Sequence, residues 1–157
     1  LPRPARKRGG AGAYFERVAV LVARDRSGQT ADFRLENVDA AHITAVLNPL
    51  IDKDAILCTD GAVIYQKVAR TMGVTHRAVN VQKGIRVLDG AFHIQNVNAY
   101  DSRLKQWMSR FHGVATKYLE NYLGWRRMIE RYRQNISPNV CLYEALGRWQ
   151  PQQLMQT

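Results

Sequence analysis

The segment His93-Ile-Gln-Asn-Val-Asn-Ala-Tyr-Asp-Ser-Arg-Leu-Lys105 gathers amide, hydroxyl and basic side chains at helical spacing. Asn98, Ser102 and Lys105 stand four and then three residues apart, so they share one helix face beside the apolar side chains Val97, Leu104 and Phe111. Such a polar edge is also what any surface helix presents, and by itself it names no reaction. A second candidate is Asp60, which ends the apolar run Ala55-Ile-Leu-Cys58 and precedes Gly61 and a helical stretch. Sites in open α/β sheets gather at the carboxyl ends of buried strands. The Asp60 carboxylate suits either a metal, with Gly61 allowing close approach to the backbone, or the cap of the following helix.

Other chemistries have less support. Cys58 with His76 or His93 could form a nucleophile–base pair, but a thiol inside a buried strand is inert packing far more often. His42, His76, His93 and His112 lack the paired spacing of a zinc site. Arg8-Gly-Gly-Ala-Gly12 precedes no strand–helix unit of the kind a phosphate loop needs. Cys58 and Cys141 read as reduced thiols. The 157 residues suit one domain that buries roughly 68–70% of its unfolded surface. A net charge of +10 favours a polyanionic partner, nucleic acid before acidic membrane. No apolar run approaches the roughly 18 residues of a membrane helix.

The elements that would position these residues follow from periodicity. Residues 1–16 form a basic, flexible arm able to neutralise phosphates without reading sequence. Val18–Ala23 reads as a strand buried on both faces, Asp25–Gly28 as a turn, and Ala31–Leu35 as a half-exposed strand, together a β-hairpin. Asp39 caps a helix whose inner face is Ile43, Val46, Leu47, Leu50 and Ile51. Ala55–Cys58 is a second buried strand, Ala62–Met72 a helix stopped by Gly73, and Thr75–Val81 another strand. Lys83–Gly90 is a surface loop. A helix begins near Asn96 with the stripe Val97, Tyr100, Leu104, Trp107, Met108 and Phe111. Gly113 breaks it, and Thr116–Asn135 forms a further helix rich in arginine and aromatics, ended by Ser137-Pro138. The chain thus divides into the arm, a core over residues 17–136, and a tail over residues 137–157 without assigned structure. The order predicts an α/β fold, a mixed sheet with helices on its faces.

Leu57-Cys-Thr-Asp-Gly61, Ala78-Val-Asn80 and Phe92-His-Ile-Gln-Asn-Val-Asn-Ala-Tyr100 resemble the catalytic domain of bacterial insertion-sequence transposases of the DDE group. Ser102–Lys105, Arg110–Leu119 and Tyr122–Arg126 are similar to the same family, so the likeness runs along nearly the whole chain. It implies a ribonuclease H-like fold with a long basic C-terminal helical region. It also implies metal-dependent DNA cleavage and strand transfer with two Mg²⁺ or Mn²⁺ ions. The family's second acidic position falls on Asp60 and its third metal-binding position on Asn98, the asparagine variant of that branch. Lys105 matches a conserved lysine near the reacting DNA end, and His93 stands in the run before Asn98. The resemblance makes Arg103, Arg110, Arg126 and Arg127 contacts to the DNA backbone. Its first aspartate, on a central strand, has no counterpart here, and Asp25 and Asp32 lie in the hairpin that would follow it. The expectation is an N-terminally truncated, inactive transposase domain of the bacterial cytoplasm and nucleoid, a homo-oligomer on DNA when complete. A non-catalytic DNA-binding remnant and a ribonuclease H-like nuclease are the alternatives.

Overall fold

The computed structural model describes residues 18–79 and 92–147. Within them the order is β1 (Ala19–Arg24), β2 (Thr30–Leu35), α1 (Ala40–Leu47), β3 (Ile56–Thr59), α2 (Val63–Met72), β4 (Thr75–Ala78), α3 (Gln95–Ser109), α4 (Leu119–Tyr132) and α5 (Pro138–Ala145). This is a mixed α/β arrangement. Strands β1 and β2 pair antiparallel with Leu21 opposite Phe33 and Val22 opposite Asp32. The turn between them is closed by Asp25, whose carboxylate accepts from the Gln29 amide at 2.8 Å and from the Ser27 hydroxyl. Strands β3 and β4 pair in parallel across α2.

The hairpin forms the middle layer, and the two-residue alternation of β1 decides which layer each side chain joins. Ala19, Leu21 and Ala23 face a core with Leu35, Ile43, Leu47, Val68, Ala69 and Met72, supplied by α1 and α2. Val18, Val20 and Val22 face Tyr100, Leu104, Leu119 and Leu123, supplied by α3 and α4. Burying one such leucine stabilises the fold by about 1.5–3 kcal/mol. Trp107, Phe111, Tyr122 and Trp125 add edge-to-face contacts that join the end of α3 to α4, with ring centroids 4.8 Å apart for Trp107–Phe111 and Phe111–Tyr122.

Local chemistry accounts for the helix ends. The Asp39 carboxylate accepts from the His42 amide at 2.9 Å, capping α1 as the sequence predicts. That helix stops at Leu47, just before Asn48-Pro49, which leaves Leu50 outside it and exposed. Gly73 ends α2 at φ 71°, the left-handed region, and its amide returns to the Ala69 and Arg70 carbonyls. A β-carbon there meets no atom within 4 Å, so its cost is conformational alone. Gly73→Ala is expected to lower stability by about 1 kcal/mol in chemical denaturation, with unchanged far-UV dichroism.

Five sequence expectations change. The strands do not form one mixed sheet: among the described residues there are two separate two-stranded sheets, β1–β2 and β3–β4. Strand β1 is not buried on both faces, because only Leu21 is fully covered. Among the described residues its second edge has no strand neighbour, and Val20 and Val22 border a cleft. For the same reason β3 is not a buried strand, and Ile56 is 45% exposed. The tail left without assigned structure holds a helix, which Ser137-Pro138 opens. Ser137 accepts from the Val140 amide and Pro138 takes the first helical position, so together they start α5. Residues 116–135 form α4 flanked by two single 3₁₀ turns rather than one helix. The basic arm, the Lys83–Gly90 loop and the end of the strand expected to reach Val81 lie outside the described residues.

Candidate functional site

A cleft of about 1190 Å³ opens between β1, β3 and α3. Residues 20–26 and 55–60 line it consecutively. Successive strand side chains point to opposite faces, so a consecutive lining means that both strands meet the cleft edge-on. Asp60 lies at its rim, exposed, where β3 ends. Its carboxylate accepts from the Ala62 amide at 3.2 Å. The N-cap of α2 is Ala62, with no side-chain cap, so Asp60 closes the turn ahead of the helix instead of capping it. Gly61 stands at φ 87°, which explains the glycine through the turn itself. The Thr59 hydroxyl braces this turn. It accepts from the Gly61 amide at 3.3 Å and lies 2.8 Å from His76 Nε2. Burial pulls the His76 pKa down, which favours the neutral ring. Burial, followed by the Asp60 charge, pushes the Tyr65 hydroxyl up.

The other wall is α3, which begins at Gln95 as its apolar stripe predicts, with Tyr100 and Leu104 buried. Asn98, Asp101 and Lys105 repeat at spacings of three and four and line the same cleft as Asp60 and His93. Asn98 is exposed. The Lys105 ammonium lies 2.6 Å from the Asp101 carboxylate, and Ser102 bonds back to the Asn98 carbonyl. The His93 Nδ1 is buried without a hydrogen-bond partner. Asp60 and Asn98 offer oxygen donors of the kind that Mg²⁺ and Mn²⁺ take. Their number is short: no three His, Cys, Asp or Glu side chains converge as a metal site among the described residues. The donor type fits and the donor count does not.

The arginines divide into two groups. Arg110 is exposed at the end of α3. Arg103 is half-exposed, its guanidinium 2.5 Å from Glu130. Arg126 is 7% exposed and donates to Glu130 at 2.9 Å, so it is not a surface cation. Arg127 turns back onto β2, where it donates to the buried Asp32 carboxylate and to the Asp32 carbonyl. Both point inward because α4 packs against β2, on the hairpin face that carries Asp32 beside Val20 and Val22. Sequence reasoning set Asp32 aside and passed over Glu130, Arg24 and Arg133. Asp32 keeps the polar–apolar alternation of β2, and its one signal was a charged side chain falling opposite Val22. The i,i+4 pair Arg126–Glu130 had one too.

Burial alone would push the Glu130 carboxyl up. The hydrogen bond from Arg103 and the charges of Arg103, Arg126 and Arg24 outweigh it and hold the pKa below the ordinary 4.5. A depressed folded pKa contributes stability above the unfolded value and loses it as pH falls through the folded one. Thermal stability is therefore expected to decline below about pH 4, with a shallower acid limb in Glu130→Gln.

Comparison with curated proteins and with solved structures returned no match. No helix of the described residues is long and apolar enough to cross a membrane. The model of the ISXO2-like transposase domain matches residues 3–127, which takes in the hairpin, β3 with Asp60, α3 with Asn98 and most of α4. A match over this much of the chain places it: the protein belongs to the ISXO2-like transposase domain family of insertion-sequence transposases.

Proposed function

We propose that the chain is the catalytic domain of a DNA transposase, ribonuclease H-like in plan, with Asp60 and Asn98 as two of its metal-binding positions. The observation that carries the reading is that these two residues, far apart in sequence, line one cleft bordered by the basic α3. Asp60 and Asn98 would hold a divalent ion there, which would supply charge stabilisation for a phosphodiester under attack. Asp60 contributes a charged ligand oxygen and Asn98 a neutral one, so the set has less negative charge than a set of three carboxylates. Lys105 contacts a phosphate near the reacting end, with its ammonium released from Asp101. Arg103 and Arg110 hold the backbone further along α3, and His93 lies against the strand within the cleft. Duplex ends and target DNA are the substrates, and a homo-oligomer is the active form.

No three His, Cys, Asp or Glu side chains converge as a metal site among the described residues, and on this reading the 157-residue chain alone is inactive. The test is strand transfer and nicking of supercoiled plasmid in Mg²⁺ or Mn²⁺. The expected result is salt-sensitive DNA binding without joined products. Metal-dependent joining that disappears in Asp60→Ala would overturn the inactivity and leave the site assignment standing. A remnant that only binds DNA predicts Mn²⁺ affinity indifferent to both Asp60→Ala and Asn98→Asp. The proposed site predicts that the first weakens Mn²⁺ binding and the second, by adding a negative charge, tightens it about tenfold. Nicking without joining favours a simple nuclease.

A further inference from the structure

Four guanidinium groups from four parts of the fold surround a single carboxylate. Arg103 of α3 lies 2.5 Å from Glu130, Arg126 of α4 2.9 Å, Arg24 at the end of β1 3.4 Å, and Arg133 just beyond α4 3.6 Å. The cluster carries a surplus of three positive charges. Its inner members are withdrawn from water, with side chains 8% exposed for Arg24, 8% for Arg126 and 9% for Glu130. The nearest polar partners are committed. Arg24 also donates to Thr30, and the Asp32 carboxylate is taken by Tyr100 and Arg127. Both Arg24 and Arg126 lie over the buried Tyr100 ring, their guanidinium carbons 5.6 and 5.9 Å from its centroid. That ring braces them without supplying the missing negative charge.

One carboxylate cannot satisfy this many donors. Its two oxygens accept from Arg103 and Arg126, and the Arg126 Nε–H is buried without an acceptor. Arg103, Arg126, Ile129, Glu130 and Arg133 enclose a recess of about 380 Å³, open to solvent on the side of Arg133 and Arg103. Arg133 is held at φ 45° and ψ −111°, a positive-φ conformation unusual for a side-chain-bearing residue, at the turn that keeps it over Glu130. A donor-rich, solvent-open recess with surplus positive charge, beside a buried unsatisfied N–H, suits a tetrahedral oxyanion. We infer that the Arg24–Arg103–Arg126–Arg133 cluster around Glu130 is a phosphate-binding pocket.

Arg24 also lines the cleft, whereas Arg103, Arg126 and Arg133 lie outside it. Arg103 follows Asn98 by five residues, which turns it roughly 140° around α3. One phosphate cannot touch both. The phosphate comes either from a DNA backbone passing behind α3 or from a free phosphate compound. The inference rests on the transposase reading only for the first source.

The test titrates the full chain with inorganic phosphate at constant ionic strength, with chloride as control and no DNA or metal. It follows the thermal midpoint and the Arg126 Nε–Hε resonance. Phosphate is expected to raise the midpoint and shift that resonance. Arg133→Gln, a change at an exposed side chain, is expected to weaken phosphate about tenfold. Glu130→Gln is expected to tighten it, whereas a purely structural ion-pair cluster predicts no phosphate response in any variant. Arg103→Gln, expected to weaken phosphate as Arg133→Gln does, keeps the test decisive if Glu130→Gln fails to fold. A wild-type chain indifferent to phosphate, or an Arg133→Gln chain responding as wild type does, overturns the pocket. With the pocket established, a fall of about one in the salt slope of duplex binding in Arg133→Gln assigns the phosphate to DNA, and an unchanged slope assigns it to a free compound. Failure here leaves Asp60 and Asn98 untouched, since the titration contains no metal.

Discussion

Asp32→Ala is expected to destabilise the chain by about 3–5 kcal/mol, enough to unfold much of the population at 37 °C. The carboxylate is fully buried and accepts from the Tyr100 hydroxyl at 2.7 Å and from Arg127. Removing it leaves a guanidinium facing the hairpin and a phenol, both without a charge partner, in a region where Tyr100 is 0% exposed. The Arg127 pKa is already pulled down, by burial first and by the neighbouring Arg131 next. Tyr100→Phe, which keeps the ion pair, is expected to cost about 1–3 kcal/mol. Replacing the set with Asp32→Leu, Arg127→Leu and Tyr100→Phe together is expected to recover most of the loss, because apolar groups need no partners. Urea denaturation of the series is the measurement. A cost below 1 kcal/mol for Asp32→Ala would show that α4 is held to β2 by its apolar contacts alone.

The second large effect is on DNA affinity. The 23 lysines and arginines can readily supply a footprint of about six phosphates, which gives a slope of log affinity against log salt near −5. Affinity then falls about 10³-fold between 50 and 200 mM salt. The exposed cations carry this effect, so Lys105→Gln and Arg110→Gln are each expected to reduce the slope by about one. Arg127→Gln is expected to leave the slope unchanged and to lower stability instead, since its charge is spent on Asp32. Fluorescence anisotropy on a labelled duplex at four salt concentrations separates the two classes. A flat salt response would remove DNA as the partner, and a slope change in Arg127→Gln would return that residue to the interface.

The sequence was read correctly where short-range physics decides. Periodicity located the hairpin, α1 with its Asp39 cap, α2 with its Gly73 stop and the start of α3. Each of these depends on neighbours within a few residues. The residue strings around Asp60 and Asn98 pointed to the family, and the family match agrees. Long-range packing was less legible. Whether β1 and β3 share a sheet depends on backbone groups more than thirty residues apart, and no local pattern encodes an edge left unpaired. Ser137-Pro138 is an ambiguous signal, since the same pair that stops one helix starts the next.

The arginines draw the line most sharply. Composition fixed a strongly basic chain, which favours a polyanionic partner, because net charge needs no geometry. Only the tertiary structure decided which cations face outward. Arg126 and Arg127 are adjacent and chemically identical to Arg110, yet α4 lies against the hairpin and turns them onto Glu130 and Asp32. A charge is free or committed according to what packs beside it, and that neighbour comes from a distant part of the chain.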